Sequence, residues 1–426
     1  MKHPGIKGWS SALRNSRPSN TSWSSQASPT KTRAQAILEM PRGHAIYFGT
    51  YSLSMGYPRN RLIIQGLEEL GWEVSQCHEP IFATNEQKLA AVSSAQGTLE
   101  AAITLGRSWI RLASRFGRTP SADLILVGYP GHLDAFEARA LMRLSCRHRP
   151  TPLVLDAFLS PYDTLVHDRG VLRRRSLTAR ALFAIEKRAY RLSDIVLVDT
   201  QENADYLAEL FEVTSSKFCP VPVGSIFQDS HSSRPCSRDE TDVLFVGTYI
   251  PLHGVEHVLE AARILMGRRD IRFTLVGKGQ QLDAMRRRSA GCANVTFIDR
   301  LVTPTELERL HSQADICLGI FGETSKASRV VPCKAFDALA LGKPVITSNS
   351  PASQRLLSGC EGVVLTDAGS PESIAREIQR LADHRVVREK MGASSRSFFV
   401  KHFSRIAIAE RVLGRVQRNW TERSAA

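Results

Sequence analysis

Lys334 and Asp337 stand three residues apart in the stretch VVPCKAFDALALGKPVIT, residues 330–347. At i and i+3 two side chains share one face of a helix. Lysine offers a compact cation suited to phosphate, and aspartate accepts hydrogen bonds from hydroxyls. Together they fit a ligand that carries phosphates and a sugar, provided the helix opens at the mouth of a parallel sheet. A surface ion pair on an ordinary helix would leave the same pattern. Gly342-Lys343-Pro344 then makes a corner, and Val345-Ile346-Thr347 reads as a buried strand.

Other residues with usable chemistry follow apolar runs. Gly247-Thr248 leads through to His253-Gly254 at a helix start. Backbone N–H groups there can hold an oxyanion, with His253 as a further donor; a structural hydrogen bond is the plain alternative for that histidine. The loop 322–334, GETSKASRVVPCK, carries Lys326, Arg329 and Lys334 toward one helix N-terminus. Three cations there make a diphosphate pocket, or simply an exposed basic loop. Gly277-Lys278-Gly279 could cradle phosphate, although short strand–helix turns take glycine for backbone reasons. The rest of a dinucleotide fingerprint is missing, which disfavours a dehydrogenase. In the first half of the chain, His132, Asp156 and Tyr162 also follow apolar strands. No zinc spacing, Gly-x-Ser-x-Gly elbow or Walker loop is present.

The elements that must position these residues come in two alternating series. Strands are expected at 44–48, 72–75, 123–127, 152–156 and 194–200, with a strand or loop near 217–223. Helices are expected between them at 59–70, 86–116, 134–148, 171–191 and 201–211. A polar, Ser-rich segment, 224–240, reads as a linker. The second series has strands at 242–247, 272–279, 294–298, 315–321 and 344–347, with helices from 254, after Thr303-Pro304-Thr305-Glu306, and at 333–341. The Thr-Pro-x-Glu run predicts a reciprocally capped start. Continuous apolar strands alternating with amphipathic helices mean parallel sheets covered on both faces. The fold class expected is therefore α/β, with two doubly wound, Rossmann-like domains facing a cleft. The boundaries are 41–223 and 242–395, and 396–426 forms a last helix returning to the first domain. Ligands of such sheets bind outside the carboxyl ends of the strands.

Bulk properties narrow the classes. A chain of 426 residues exceeds one ordinary core. No run of eighteen apolar residues spans a membrane, and no apolar secretory segment is recognised at the start. Eight cysteines lie far apart without a Cys-x-x-Cys pair, which fits reduced thiols in a cytosol. The net charge of +14 points to an anionic partner. Residues 1–40 hold six Lys/Arg against one acid and read as a disordered tail, which makes Met40 a hypothesis for the true translation start. Residues 169–191 hold eight Lys/Arg against one acid. That basic helix could lie on an anionic membrane or keep a solvated basic side against a core. Nucleic acid is disfavoured, because aromatic interleaving is sparse.

The second domain resembles the donor domain of family 4 glycosyltransferases, which have the GT-B fold. The resemblance rests on FVGTYIPLHGVEHVLEAARIL (245–265), FTLVGKGQ (273–280), NVTFIDRL (294–301), ADICLGIF (314–321) and KAFDALALGKPVIT (334–347). It extends more loosely to YFGTYSLSMGYPRNRLIIQGLEELGWEV (47–74). It implies transfer of a sugar from a nucleoside diphosphate sugar to an acceptor hydroxyl, with retention of configuration and without a metal or other cofactor. By the same resemblance, Asp337 stands where an acidic residue holds the donor ribose, and Gly247, Thr248, His253 and Gly254 flank the phosphates. Two departures follow. Thr248 and His253 stand where Arg and Lys are usual, and Arg329 stands where Glu is usual. Lys326, Arg329 and Lys334 are the candidate replacements for the missing phosphate cations. Acceptor-side catalytic groups are expected in the first domain, from His132, Asp156 and Tyr162. The expected partners are a nucleotide sugar, a glycan or lipid-linked acceptor and an anionic membrane face, in a cytoplasmic setting of glycan or polysaccharide biosynthesis. A sugar-nucleotide epimerase of the same fold and a non-catalytic glycosyltransferase-like binder are the competing readings.

Overall fold

The computed structural model describes residues 42–53, 58–80, 95–145, 151–230 and 240–424. The tail expected to be disordered, residues 1–40, and most of the expected linker, residues 231–239, lie outside them. So do the first residues of the helix expected at 86–116.

The N-terminal lobe has strands β1 (His44–Gly49), β2 (Glu73–His78), β3 (Leu124–Val127), β4 (Leu153–Asp156), β5 (Ile195–Val198) and β6 (Phe218–Pro220). They form a parallel sheet in the order β2-β1-β3-β4-β5-β6. Every residue of β3 (LILV) and β5 (IVLV) is buried, as strands covered on both faces must be. The covering helices are α1 (Arg59–Glu69), α2 (Ala95–Phe116), α3 (Asp134–Leu144), α4 (Leu177–Leu192) and α5 (Gln201–Phe211). Gly71 takes φ +81° just past α1, a conformation that costs glycine no Cβ clash. Helix α4 starts later than 171, because Ser176 accepts the Ala179 N–H at 3.2 Å and caps it there. Before it, Asp163–Asp168 forms a π-helical turn that has no periodic signal in the sequence.

The C-terminal lobe repeats the plan with β7 (Thr241–Val246), β8 (Ile271–Val276), β9 (Val295–Ile298), β10 (Ile316–Leu318), β11 (Val345–Ser348) and β12 (Val363–Thr366). The parallel order is β12-β11-β10-β7-β8-β9. Its helices are α6 (Val255–Ile264), α7 (Leu282–Arg288), α8 (Pro304–Gln313), α9 (Cys333–Ala340), α10 (Pro351–Leu357) and α11 (Pro371–Asp383). Thr303 caps α8 by accepting Glu306 N–H at 3.2 Å. The reciprocal half is absent, since the Glu306 carboxylate pairs with Arg300 instead.

Two further helices, α12 (Arg385–His402) and α13 (Arg405–Ser424), complete the chain. Helix α13 lies against α1 so closely that a Cβ on Gly66 would sit 2.2 Å from the Arg405 carbonyl. An apolar cluster joins the lobes: Phe158 and Val223 pack in one core with Leu244, Val331, Phe336 and Phe403. The segment after β6 belongs to that core. Ser225 and Phe227 are buried, so the expected linker begins as packed chain.

Candidate functional site

Strand order fixes where a ligand can enter the C-terminal sheet. The chain leaves β7 toward β8 on one side and returns to β10 on the other. Diverging connections open a crevice beyond the carboxyl ends of these two strands. Gly247 follows β7 there, and Gly319–Gly322 follows β10.

Glycines let the two connections meet. Gly254 takes φ +59°, and a Cβ on it would lie 2.5 Å from Gly322 N. Phe321 N–H donates to the His253 carbonyl at 3.0 Å across the same seam. The Gly277–Gly279 turn packs on this loop: a Cβ on Gly279 would be 2.4 Å from Tyr249 N. Close approach of backbones accounts for that pair of glycines.

Lys334, at the start of α9, reaches into this crevice. Its Nζ is 3.8 Å from the centre of the Phe245 ring. A Cβ on Gly247 would lie 2.7 Å from it and 3.0 Å from the His253 ring. The residue is 9% exposed, and its Nζ has no hydrogen-bond partner among the described residues. Burial holds the ammonium well below the ordinary lysine range, with only Cys333 acting in the other direction. His253 donates Nδ1–H to the Thr248 carbonyl. Burial, then the neighbouring Lys334, pushes its pKa well down, so the ring is neutral with Nε2 bare. The Thr248 side chain itself is exposed.

One turn further along α9, Asp337 accepts a 2.6 Å hydrogen bond from Ser225 Oγ. Burial raises its carboxyl to about 7, against the lowering effect of that hydroxyl. Ser225 carried no sequence signal, being one serine in a Ser-rich stretch. Thus Gly247, His253, Gly254 and Lys334 meet at the crevice, and Asp337 sits beside them against the chain that crosses between the lobes.

Lys326 and Arg329 are placed elsewhere. Both reach across to the N-terminal lobe instead of joining the expected diphosphate pocket. Lys326 Nζ donates to Thr164 Oγ1 at 2.9 Å and lies 3.3 Å from Asp163 Oδ2. Arg329 donates to Asn203 Oδ1 at 2.8 Å, lies 3.4 Å from Asp163 Oδ1 and stacks 3.5 Å over the Tyr206 ring. Thr200 Oγ1 donates to the Arg329 carbonyl. Burial alone would raise Asp163, but Lys326 and Arg329 outweigh it and hold the carboxyl below its ordinary range.

The three candidates in the N-terminal lobe are all buried. Asp156 is fully enclosed, and both its oxygens accept from Arg59 Nε at 2.8 Å. Arg59 also donates to the Val221 carbonyl at 2.5 Å. This is a structural ion pair with no open carboxylate face, contrary to the catalytic role expected for Asp156. His132 lies 3.4 Å from Tyr190 Oη, and burial pushes it down to about 4. Tyr162 packs edge-on against Phe183 and Phe211.

Two groups in this lobe were not picked out from the sequence. Glu186 accepts from Ser160 Oγ at 2.7 Å and Tyr190 Oη at 2.9 Å, and burial raises it to about 7. Asp134 accepts from Thr50 N at 2.7 Å and Thr50 Oγ1 at 2.8 Å, fixing the loop after β1. Asp134 has no motif around it, because its partners come from distant elements, and of the Glu186 partners only Tyr190 is local, one turn along the same helix. Among the described residues, no three His, Cys, Asp or Glu side chains gather as a metal ligand set. None of their helices is long and apolar enough to cross a membrane.

Residues 240–384 match the family model described as glycosyl transferases group 1. Spore coat protein SA of Bacillus subtilis (strain 168) is 28% identical over 127 residues, 30% of this chain and 32% of that protein. The match therefore spans about a third of the length of that curated relative. Sucrose-phosphate synthase from Thermosynechococcus elongatus superposes with a TM-score of 0.61 at 16% identity, over 91% of this chain and all of that one (100%). Anabaena HepE in complex with UDP-glucose gives 0.57 at 14% identity, over 88% and 100%. The chain has the two-lobed GT-B fold, and its likeness to the group 1 glycosyl transferases lies within the C-terminal lobe.

Proposed function

We propose that this protein is a glycosyltransferase that moves a sugar from a nucleoside diphosphate sugar to an acceptor hydroxyl. The observation that carries the proposal is Lys334, a buried amine without a hydrogen-bonding partner, set against Gly247 and His253 at the crevice. The diphosphate lies against Lys334, the Gly247 backbone and the start of α9, where the helix dipole also favours anions. The ribose hydroxyls lie on Asp337. As the sugar leaves, negative charge grows on the diphosphate, and a fixed cation and helix end stabilise it without reorganisation.

Support for the donor class comes from the family match of the C-terminal lobe and from the likeness to HepE, solved with UDP-glucose. Lys334 takes the part of the cation missing at Thr248 and His253. Retention of configuration, independence of metal, a glycan or lipid-linked acceptor, and action at the cytoplasmic face of a membrane belong to the same proposal. An exposed basic stretch supports the membrane part: Arg173, Arg174 and Arg175 lie between Val171 (59% exposed) and Leu177 (80% exposed).

The test is to incubate the protein with a panel of nucleotide sugars, with and without glycan and polyprenyl-phosphate sugar acceptors, and to measure nucleoside diphosphate release. Release from at least one donor, lost in Lys334→Met, is the expected result. Binding without turnover across the panel would instead mark a sugar-nucleotide-binding protein.

A further inference from the structure

Lys334 is enclosed without an anion to pair with. From β7 it faces the Phe245 ring, and from the loop after β7 it faces Gly247 and His253. On its own helix the nearest titratable groups are Cys333 and Asp337, and Asp337 Oδ1 is already held by Ser225. No carboxylate is within salt-bridge reach of its Nζ among the described residues. The ring face of Phe245 attracts a cation, but it does not replace a hydration shell. An amine so placed is therefore more stable without its proton until an anion arrives.

We propose that the donor diphosphate binds together with a proton, which Lys334 takes up from solvent as the phosphates enter. The step balances simply: the neutral Nζ amine accepts one proton from bulk water and becomes the ammonium that pairs with the phosphate oxygens. His253 stays neutral, because burial and the neighbouring Lys334 outweigh its hydrogen bond to the Thr248 carbonyl, which acts the other way. Departure of the nucleoside diphosphate returns the proton. The site is then tight for anions only in its protonated form, and product release quickens as pH rises. This rests on the reading of the crevice as the donor site, and it adds the coupling to protons.

The test is calorimetric titration with UDP, GDP and ADP at about pH 8.5, in two buffers of low and high ionisation heat, neither of them phosphate. At that pH Asp337 and the nucleotide are already ionised, so neither contributes. The expected result is buffer-dependent heat equal to about one proton taken up per nucleotide bound. The uptake should vanish in Lys334→Met, with affinity weakened about tenfold or more, and should persist in His253→Asn. Binding with the same heat in both buffers would overturn the coupling and leave the donor site standing. Uptake that survives in Lys334→Met would overturn the assignment to Lys334. Absence of binding by all three nucleotides would overturn the donor site and the coupling with it.

Discussion

Ser225 Oγ donates a 2.6 Å hydrogen bond to Asp337 Oδ1, tying the chain that crosses between the lobes to the candidate ribose acceptor. The hydroxyl lowers a carboxyl that burial has raised to about 7. In Ser225→Ala the carboxyl should rise further and lose its fixed orientation. A neutral hydrogen bond is worth about 1 kcal/mol, so nucleotide affinity near neutrality should fall roughly two- to tenfold. The pH at which affinity reaches half its Asp337-dependent gain should move upward. Titrations between pH 6 and 8, chosen to bracket the value near 7, measure both effects; an unmoved midpoint would count against the coupling.

Lys326 and Arg329 enclose Asp163 from across the lobes. Removing the carboxylate in Asp163→Ala takes the counter-charge from buried Arg329 and leaves Lys326 only Asp168, at 3.7 Å. Breaking such a set typically costs about 3–5 kcal/mol, which denaturant unfolding would register. The pH sign follows from the depressed Asp163 value. Its stabilisation is complete above the unfolded aspartate value of about 3.9 and is lost as pH falls through the lower folded value. The wild-type protein should therefore lose stability in acid more steeply than Asp163→Asn.

Gly247→Ala separates binding from folding. The added methyl would meet Lys334 Nζ at 2.7 Å, the far end of a flexible side chain. Lys334 must swing away from the crevice, and the His253 ring, 3.0 Å from the same methyl, must give slightly. Nucleotide affinity should drop about tenfold, with stability changed by less than about 1 kcal/mol. Thermal unfolding and calorimetry on the same preparation give both numbers.

Membrane contact rests on a different surface. Replacing Arg173, Arg174 and Arg175 by glutamine should weaken binding to anionic vesicles by about 1 kcal/mol per charge, or roughly a hundredfold in all. The effect should shrink in high salt. Equal flotation of variant and wild type on phosphatidylserine vesicles would remove the membrane from the account.

The sheets were legible because their strands are continuous apolar runs: DLILV and DIVLV carry their burial in composition alone. Gly247, Gly254 and Lys334 were legible because the strand order of a doubly wound sheet determines which turns meet. Lys326 and Arg329 were placed wrongly for a physical reason. Charge close in sequence to a helix start says nothing about partners more than a hundred residues earlier, and the Asp163 carboxylate and the Asn203 amide are such partners. Asp156 follows an apolar strand as a catalytic acid would, yet Arg59 on α1 closes it off. Ser225 was invisible because its meaning lies in the fold of the crossing segment and not in its neighbours.

The central claim is that Lys334 holds the diphosphate and Asp337 the ribose of one nucleotide. Equilibrium binding of UDP, GDP and ADP at about pH 7.5 to wild type, Lys334→Met and Asp337→Ala tests it directly. The account expects at least one nucleotide to bind wild type and each variant to lose about tenfold or more in affinity for it. Equal affinities in all three proteins would contradict it.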